Sequence, residues 1–378
     1  MKSWDVIVIG GGIIGLSLAL ELRKKGARVL VVERGEPGRE ASYAAGGMLA
    51  DSIIETPAAL QPLASASARM YPEFVHELEV KSGVKVDLRD QGTLLSLSSK
   101  HIRHPGFRTA ALYPADLQEL EPAMVKLTLE QEFDLKEELD PVEVGMALNA
   151  MRPSFYYIKE SSVDPRALTA AALAAAKHHG VDFSSGDTVI SVDLSDERAS
   201  GVTTKKTSFL AAKVVTCAGA WSGQIAPLTF PTRPVKGQML CLLSPVRELL
   251  KHVIRSPDVY LIPRSDGRII VGTTVEEAGF DKRTDVSTIQ GLHRAAVALV
   301  PELRNAKILE DWAGLRPGTP DSLPILGVTA TPGYYVATGH FRDGILLAPV
   351  TAHVMAQVME GKHPDHDLAA FSPARFPQ

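Results

Sequence analysis

Cysteine is nearly missing from this chain: Cys217 and Cys241 are the only two in 378 residues. They are not spaced as CxxC, so neither a disulfide framework nor a zinc site is expected, and two free thiols fit a reducing, cytoplasmic compartment. The eleven histidines contain no HxxxH or HExxH pair, so no metal is expected. Net charge is −4 and no Lys/Arg run is dense enough to follow a phosphate backbone, which argues against nucleic acid. No segment has the roughly eighteen uninterrupted apolar residues of a membrane span. A secretory leader is not expected either, because Asp5 and three glycines break the apolar stretch after Lys2. What is present, 45% hydrophobic and 22% charged residues, is the balance of a globular protein with an ample core. The length predicts two domains or one two-lobed unit.

The first motif lies at the N-terminal end. Trp4 to Ile9 is almost continuously apolar, as a strand buried on both faces requires. It runs into Gly10-Gly11-Gly12-Ile13-Ile14-Gly15. Gly10 and Gly12 let the backbone turn and come close to a ligand, and Gly15 lets a following helix, read as 16–25, pack tightly. That helix would aim its free N–H groups at a pyrophosphate. A second strand, 28–32, leads to Glu33, placed to accept from a ribose 2′-OH, which points to NAD or FAD rather than NADP.

The connection at 36–50 is longer than a βα turn needs. Its small residues and the Ser42 hydroxyl point to ligand contact. Helices are expected at 64–82, 116–122 and 286–299, a strand at 92–98 and a turn-rich connector at 101–108; the acidic stretch 130–148 gives no clear element. Asp164-Pro165 starts an alanine-rich helix as N-cap and first-turn proline. His178 and His179 at its end are read as cationic caps, not ligands. Residues 181–183, 188–192 and 208–211 read as short strands of a meander. The run from Lys213 ends at Ala218-Gly219, a second close approach of backbone to ligand. Strand 235–243 and the hairpin 259–274, turned at Asp266-Gly267, lack intervening helices, so an antiparallel sheet forming a separate lobe is expected.

Motif density returns in Trp312-Ala-Gly-Leu-Arg316-Pro-Gly and in Gly339-His340-Phe341-Arg342-Asp343-Gly344-Ile345-Leu346-Leu347-Ala348-Pro349. The second opens a helix, 346–359, whose N-terminal N–H groups could face developing negative charge. Arginines in loops beside glycine and aromatic residues point to a site rather than a solvated surface.

The glycine turn, the Ala44-Ala45-Gly46-Gly47-Met48-Leu49 loop, the Tyr260-x-x-Pro263-Arg264 hairpin and these last two motifs together resemble the glycine oxidases. These form the thiamine-pathway branch of the D-amino-acid oxidase and sarcosine oxidase group of flavoenzymes, and the resemblance runs over almost the whole chain. It implies an α/β plus α+β fold: a Rossmann-like FAD-binding domain (1–84, 156–224 and 312–378) and an antiparallel-sheet substrate domain (85–155 and 225–311). FAD contacts are implied at Gly10, Gly12, Ile13, Ile14, Gly15, Glu33, Arg34, Ala41, Ser42, Gly46, Gly47, Met48, Val189, Gly219, His340, Phe341, Arg342, Asp343, Gly344, Ile345 and Leu346. Arg316 and Arg342 would hold a substrate carboxylate, with Tyr260 adding its hydroxyl. Neither cysteine lies in the loops implied around the ring, so FAD is expected to be non-covalent.

The resemblance further implies oxidative deamination of glycine, sarcosine or small D-amino acids by O2, a homotetramer, and hand-off of product to thiazole synthesis. Asp258, Val275 and Asp343 depart from the family pattern of His, Met and Asn, which leaves substrate breadth open. Two other readings stand beside this one: a D-amino-acid dehydrogenase passing electrons to a quinone, and a non-catalytic flavoprotein subunit.

Overall fold

The structure, a computed structural model, describes residues 3–51, 56–96, 110–112, 114–124 and 155–376. The expected connector at 101–108, the acidic stretch 130–148 and the end of the strand 92–98 lie outside the described residues.

The near-continuous apolar start of the chain becomes β1 (Ser3–Ile9), central in a parallel sheet. Its neighbours are β2 (Val29–Glu33) and β12 (Ser208–Thr216), both parallel to it. β9 (Asp182–Ser185) extends the sheet beyond β2, and β19 (Tyr334–Thr338) pairs with the end of β12. β18 (Ile325–Val328) adds an antiparallel edge, and the start of β12 carries the antiparallel hairpin of β10 (Val189–Ser195) and β11 (Arg198–Thr204). The expected meander is therefore only partly right. β9 runs parallel to β2, because α5 (Pro165–His178) precedes it as a crossover, and β11 escaped notice for want of apolar alternation.

Burial on both faces explains the composition of β1. Ile7 and Ile9 join Leu30, Val32 and Tyr334 in one core. Val6 and Val8 join the core made with α1 (Ile13–Lys24), α3 (Gln61–Ser82), α5 and α7 (Ala348–Met359). α1 starts three residues before the helix expected from sequence, with Gly12 as its N-cap. Asp164 caps α5 by accepting from the N–H groups of Arg166 and Ala167. At the other end His179 is the C-cap residue, as expected, while burial and then Lys81 hold its pKa below the ordinary histidine value and so weaken its cationic character.

The second sheet has the order β17 (Lys307–Gly318), β13 (Arg233–Leu243), β16 (Arg268–Gly272), β15 (Tyr260–Pro263), β14 (Val253–Arg255), β5 (Thr93–Ser96), β7 (Phe155–Ile158), β6 (Ala110–Leu112). Every pairing is antiparallel except β14 with β5. Leu240, Leu242, Leu261 and Val271 on one face pack with Ile289, Leu292 and Ala296 of α6 (Val286–Leu299). Met239, Cys241, Ile262 and Ile270 on the other face meet Met48, Tyr260 and Trp312. A small sheet of β3 (Met48–Leu49), β8 (Ser161–Val163) and β4 (Leu88–Arg89) lies beside them. Between Glu33 and β3 the long loop contains one helical turn, α2 (Ala41–Ala44). The short helix expected at 116–122 forms two residues earlier, as α4 (Pro114–Leu120), because a proline suits a first helical position.

Candidate functional site

A cavity of about 1050 Å³ is lined by residues of both large sheets. One end is the glycine turn. Gly10 has φ +108°, and a Cβ there would lie 2.5 Å from the Cys217 carbonyl oxygen, so only glycine lets β1 turn beside the end of β12. A Cβ on Gly15 would lie 2.0 Å from the Gly10 carbonyl oxygen, which explains how α1 packs so near the turn. Glu33 is buried, and its carboxylate accepts from the N–H groups of Gly11 at 2.7 Å and Gly35 at 2.9 Å. The Ser42 hydroxyl accepts from the N–H of Ile13 at 2.9 Å and supplies the cap that Gly12 lacks. The first turn of α1 is thereby fixed facing the cavity.

The cavity wall contains Gly10, Gly12, Ile13, Ile14, Glu33, Arg34, Ala41, Ser42, Gly46, Gly47, Met48, Val189, Gly219 and the turn His340 to Ile345. Two residues expected there are not in the wall. Gly15 faces β1, and Leu346 is buried with its carbonyl taken by the Ser67 hydroxyl at 2.6 Å. Cys217 lines the cavity beside Gly10, where burial pushes its thiol pKa far up, so it stays protonated. The His340 ring is buried against Thr351 of α7, with Nε2 3.1 Å from Oγ1; burial lowers its pKa to about 3, so it is neutral. Among the described residues, no backbone carbonyl accepts the N–H groups of Gly344 or Ile345.

The wall formed by the second sheet carries Arg316 and Tyr260. Arg316 lies on β17, and its guanidinium extends over Gly237 of β13, where a Cβ would be 2.4 Å from both terminal nitrogens. Nη1 donates to the carbonyls of Lys236 at 3.3 Å and Thr274 at 3.2 Å, and Nη2 to the Thr273 hydroxyl at 2.9 Å. Burial holds the pKa of Arg316 below the ordinary arginine value; Tyr260 opposes this and Arg342 adds to it. The Tyr260 ring lies over Gly272, directly across the ladder. Burial raises its phenol pKa, so the hydroxyl remains a neutral donor.

Arg342 is more exposed than Arg316 and stacks on Phe341, with Cζ 5.3 Å from the ring centre. The Phe341 N–H donates to the Pro317 carbonyl at 3.1 Å, so the residues after Arg316 and before Arg342 are joined directly. Phe341 has φ +47°, a left-handed conformation that is strained for an aromatic residue and typical of functional turns. Asp258 and Val275 also line the cavity. The sequence reading missed Gly237, Gly272 and Thr273. A glycine inside an otherwise apolar strand, as in Val235-Lys-Gly-Gln-Met, was the available signal.

Residues 5–358 match the family model described as DAO, FAD dependent oxidoreductase. Glycine oxidase of Pseudomonas putida is 32% identical over 384 residues, covering 98% of this chain and 98% of that protein. The bifunctional protein ThiO/ThiG of Trichormus variabilis is 35% identical over 380 residues, covering 98% of this chain but 55% of that protein. The chain thus spans about half the length of such bifunctional relatives. The crystal structure of glycine oxidase from Geobacillus kaustophilus superposes with a TM-score of 0.87 at 29% identity, covering 100% of both chains. From its glycine turn to the last turn of α7, the chain belongs to the family of FAD dependent oxidoreductases.

Proposed function

We infer that the protein catalyses oxidative deamination of glycine, sarcosine and small D-amino acids, with FAD as cofactor and O2 as oxidant. For glycine the balanced reaction is glycine + O2 + H2O → glyoxylate + NH3 + H2O2. The observation that carries this reading is the convergence of Arg316, Tyr260 and Arg342 on the same cavity as the glycine turn. The cavity fits FAD: it exceeds the usual ligand pocket of about 300–1,000 Å³, its glycine turn admits a pyrophosphate, and Glu33 is in place for a ribose. When bound, FAD supplies a two-electron acceptor.

The chain supplies position and field. Arg316 is held from behind by Lys236, Thr273 and Thr274, which fixes the plane of its fork for a bidentate grip on a carboxylate. Two guanidinium groups near one another repel, and an anion between them relieves that repulsion. Tyr260, kept protonated, donates to the same carboxylate. This grip aligns the substrate Cα–H, so that reaction becomes effectively intramolecular. The N–H groups of Gly344 and Ile345 face negative charge that develops across the cavity. His340 is buried with its Nε2 bonded to Thr351 and its pKa lowered to about 3, which makes it too weak a base to take the substrate's proton; the substrate reacts with its amine neutral, and the rate of the chemical step rises with pH.

The remaining cavity-lining residues of the motif regions are assigned to FAD contact, with Gly15 and Leu346 acting through packing behind them. Non-covalent attachment is supported by the protonated Cys217 thiol. The proposed division into a cofactor domain and a substrate domain is supported by the two large sheets, although β7 crosses its boundary at 156 and β17 that at 312. Hand-off of product within thiamine biosynthesis is in keeping with the bifunctional relatives, and a homotetramer is proposed from the sequence resemblance alone. Two free cysteines support the cytoplasm as its compartment, and no helix among the described residues is long and apolar enough to cross a membrane.

The test is addition of glycine to the yellow protein. Anaerobic bleaching followed by peroxide release on admitting air is expected. Bleaching without peroxide would transfer the reading to a quinone-linked dehydrogenase, and no bleaching to a non-catalytic flavoprotein.

A further inference from the structure

The loop that carries Ala45, Gly46 and Gly47 into the cavity wall has its carbonyls tied from behind. The Arg166 Nε donates to the Tyr43 carbonyl at 3.3 Å, the Trp312 Nε1 to the Ala44 carbonyl at 3.1 Å, and the Arg264 Nη2 to the Gly46 carbonyl. The Gly47 carbonyl is taken by the Val163 N–H at 2.8 Å. None of these donors belongs to the cavity wall, whereas Ala44 to Met48 do. In a trans peptide the C=O and the N–H point in opposite directions. Carbonyls held away from the cavity therefore turn the N–H groups of Ala45 and Gly47 toward it. Among the described residues, no backbone carbonyl accepts either of these N–H groups.

The donors are themselves built in rather than incidental. Arg166 is sandwiched between Tyr43 and Trp312, with Cζ 4.0 Å and 4.5 Å from the two ring centres, and pairs with Glu310. That sandwich sets the plane of the Trp312 indole. Arg264 is only 4% exposed, and its Nη1 has no partner among the described residues. Burial lowers its pKa to about 10, opposed by Asp164 and Asp87. A buried arginine with one donor unused is costly to retain for packing alone. Arg264 follows β15, the strand of Tyr260, and Trp312 lies on β17, so the second sheet is tied to the loop at the carbonyls of both Gly46 and Ala44.

We propose that Arg166, Trp312 and Arg264 are positioning residues for the flavin: they clamp the outer side of the 43–47 loop so that the N–H groups of Ala45 and Gly47 are presented to the cofactor. The inference rests on the FAD reading of the cavity. FAD titration into apoprotein, followed by flavin fluorescence, tests it in the full chain. Arg264→Met is expected to raise the FAD Kd at least tenfold. Trp312→Phe, which keeps an aromatic face for Arg166 but removes the five-membered ring with its N–H donor, and Arg166→Lys, which keeps the charge and loses the planar sandwich, should raise it severalfold. The visible bands of the flavin that still binds should shift, and the apoprotein Tm of Trp312→Phe should fall less than the holoprotein Tm. Parent-like Kd values and spectra in all three variants would overturn the proposal. So would an apoprotein Tm that falls as far as the holoprotein Tm, because the three side chains would then hold only the fold. A parent chain that binds no FAD at all is a separate result, and removes the reading beneath the proposal as well.

Discussion

Gly237 and Gly272 show how space at a single residue can define a site. Neither has a positive φ, so conformational freedom is not the reason for glycine. Gly237 leaves room for the Arg316 guanidinium and Gly272 for the Tyr260 ring. Gly237→Ala is expected to displace the fork and raise the KM for glycine as much as Arg316→Lys does. Loss of a charge-assisted bidentate contact of about 1.5–3 kcal/mol corresponds to roughly 10- to 150-fold. The visible spectrum of bound flavin should not change; a KM equal to the parent's in either variant would remove Arg316 from carboxylate binding. His340 makes a different prediction. Its folded pKa of about 3 lies below the unfolded value of 6.5, so the unfolded state binds the extra proton between those limits. Its stabilising contribution is complete above pH 6.5 and is lost as pH falls from there toward 3. The loss approaches about 1.4 kcal/mol per pH unit. Denaturant melts at pH 7 and pH 5 should therefore differ less for His340→Gln than for the parent, by about 2 kcal/mol.

At the scale of the element, the start of α5 does more than begin a helix. Asp164 Oδ1 accepts from the N–H groups of Arg166 and Ala167, while Oδ2 takes Arg268 of β16 at 2.8 Å. One carboxylate thus caps the helix and ties it to the second sheet. Burial pushes its pKa up, but Arg264, Arg268 and the cap bonds outweigh this and hold it below 3.8. That contribution is present above the unfolded pKa and fades as pH falls below about 4. Asp164→Ala is expected to cost at least about 2 kcal/mol in urea melts at pH 7, at the upper end of cap losses, because Arg268 also loses its partner. Asp164→Asn, which retains a capping oxygen, should cost less; equal losses would show that the charge rather than the cap matters. Asp164-Pro165 was legible in the sequence as a helix start. Its bond to Arg268 was not, since a residue 104 positions away is named only by the fold.

For the whole molecule, the cavity draws on both large sheets, so FAD binding must couple them. A ligand at a hundred times its Kd adds about 2.7 kcal/mol to the folded state. Hydrogen exchange should show this as joint protection of the glycine turn, the 41–48 loop and the cavity-lining parts of β13, β15, β16 and β17 in the second sheet, with the outer face of α6 unchanged. Protection of the glycine turn alone would mean that the second sheet does not close on the cofactor.

Local chemistry was readable along the chain. Unbroken apolar residues specify a strand buried on both faces, Gly10 and Gly15 specify a tight βα turn, and Asp266-Gly267 specifies a hairpin. These depend on neighbours a few residues away, so the sequence determined them, and the motifs at Arg316 and Arg342 were legible as chemistry. Tertiary structure alone decided which distant pieces meet. It set β9 parallel to β2, brought Cys217 against Gly10, laid Arg316 over Gly237, and left Arg342 more exposed while Arg316 is anchored. Cross-sheet contacts of this kind arise from the packing of whole layers, and no local pattern records the position of a partner in another layer.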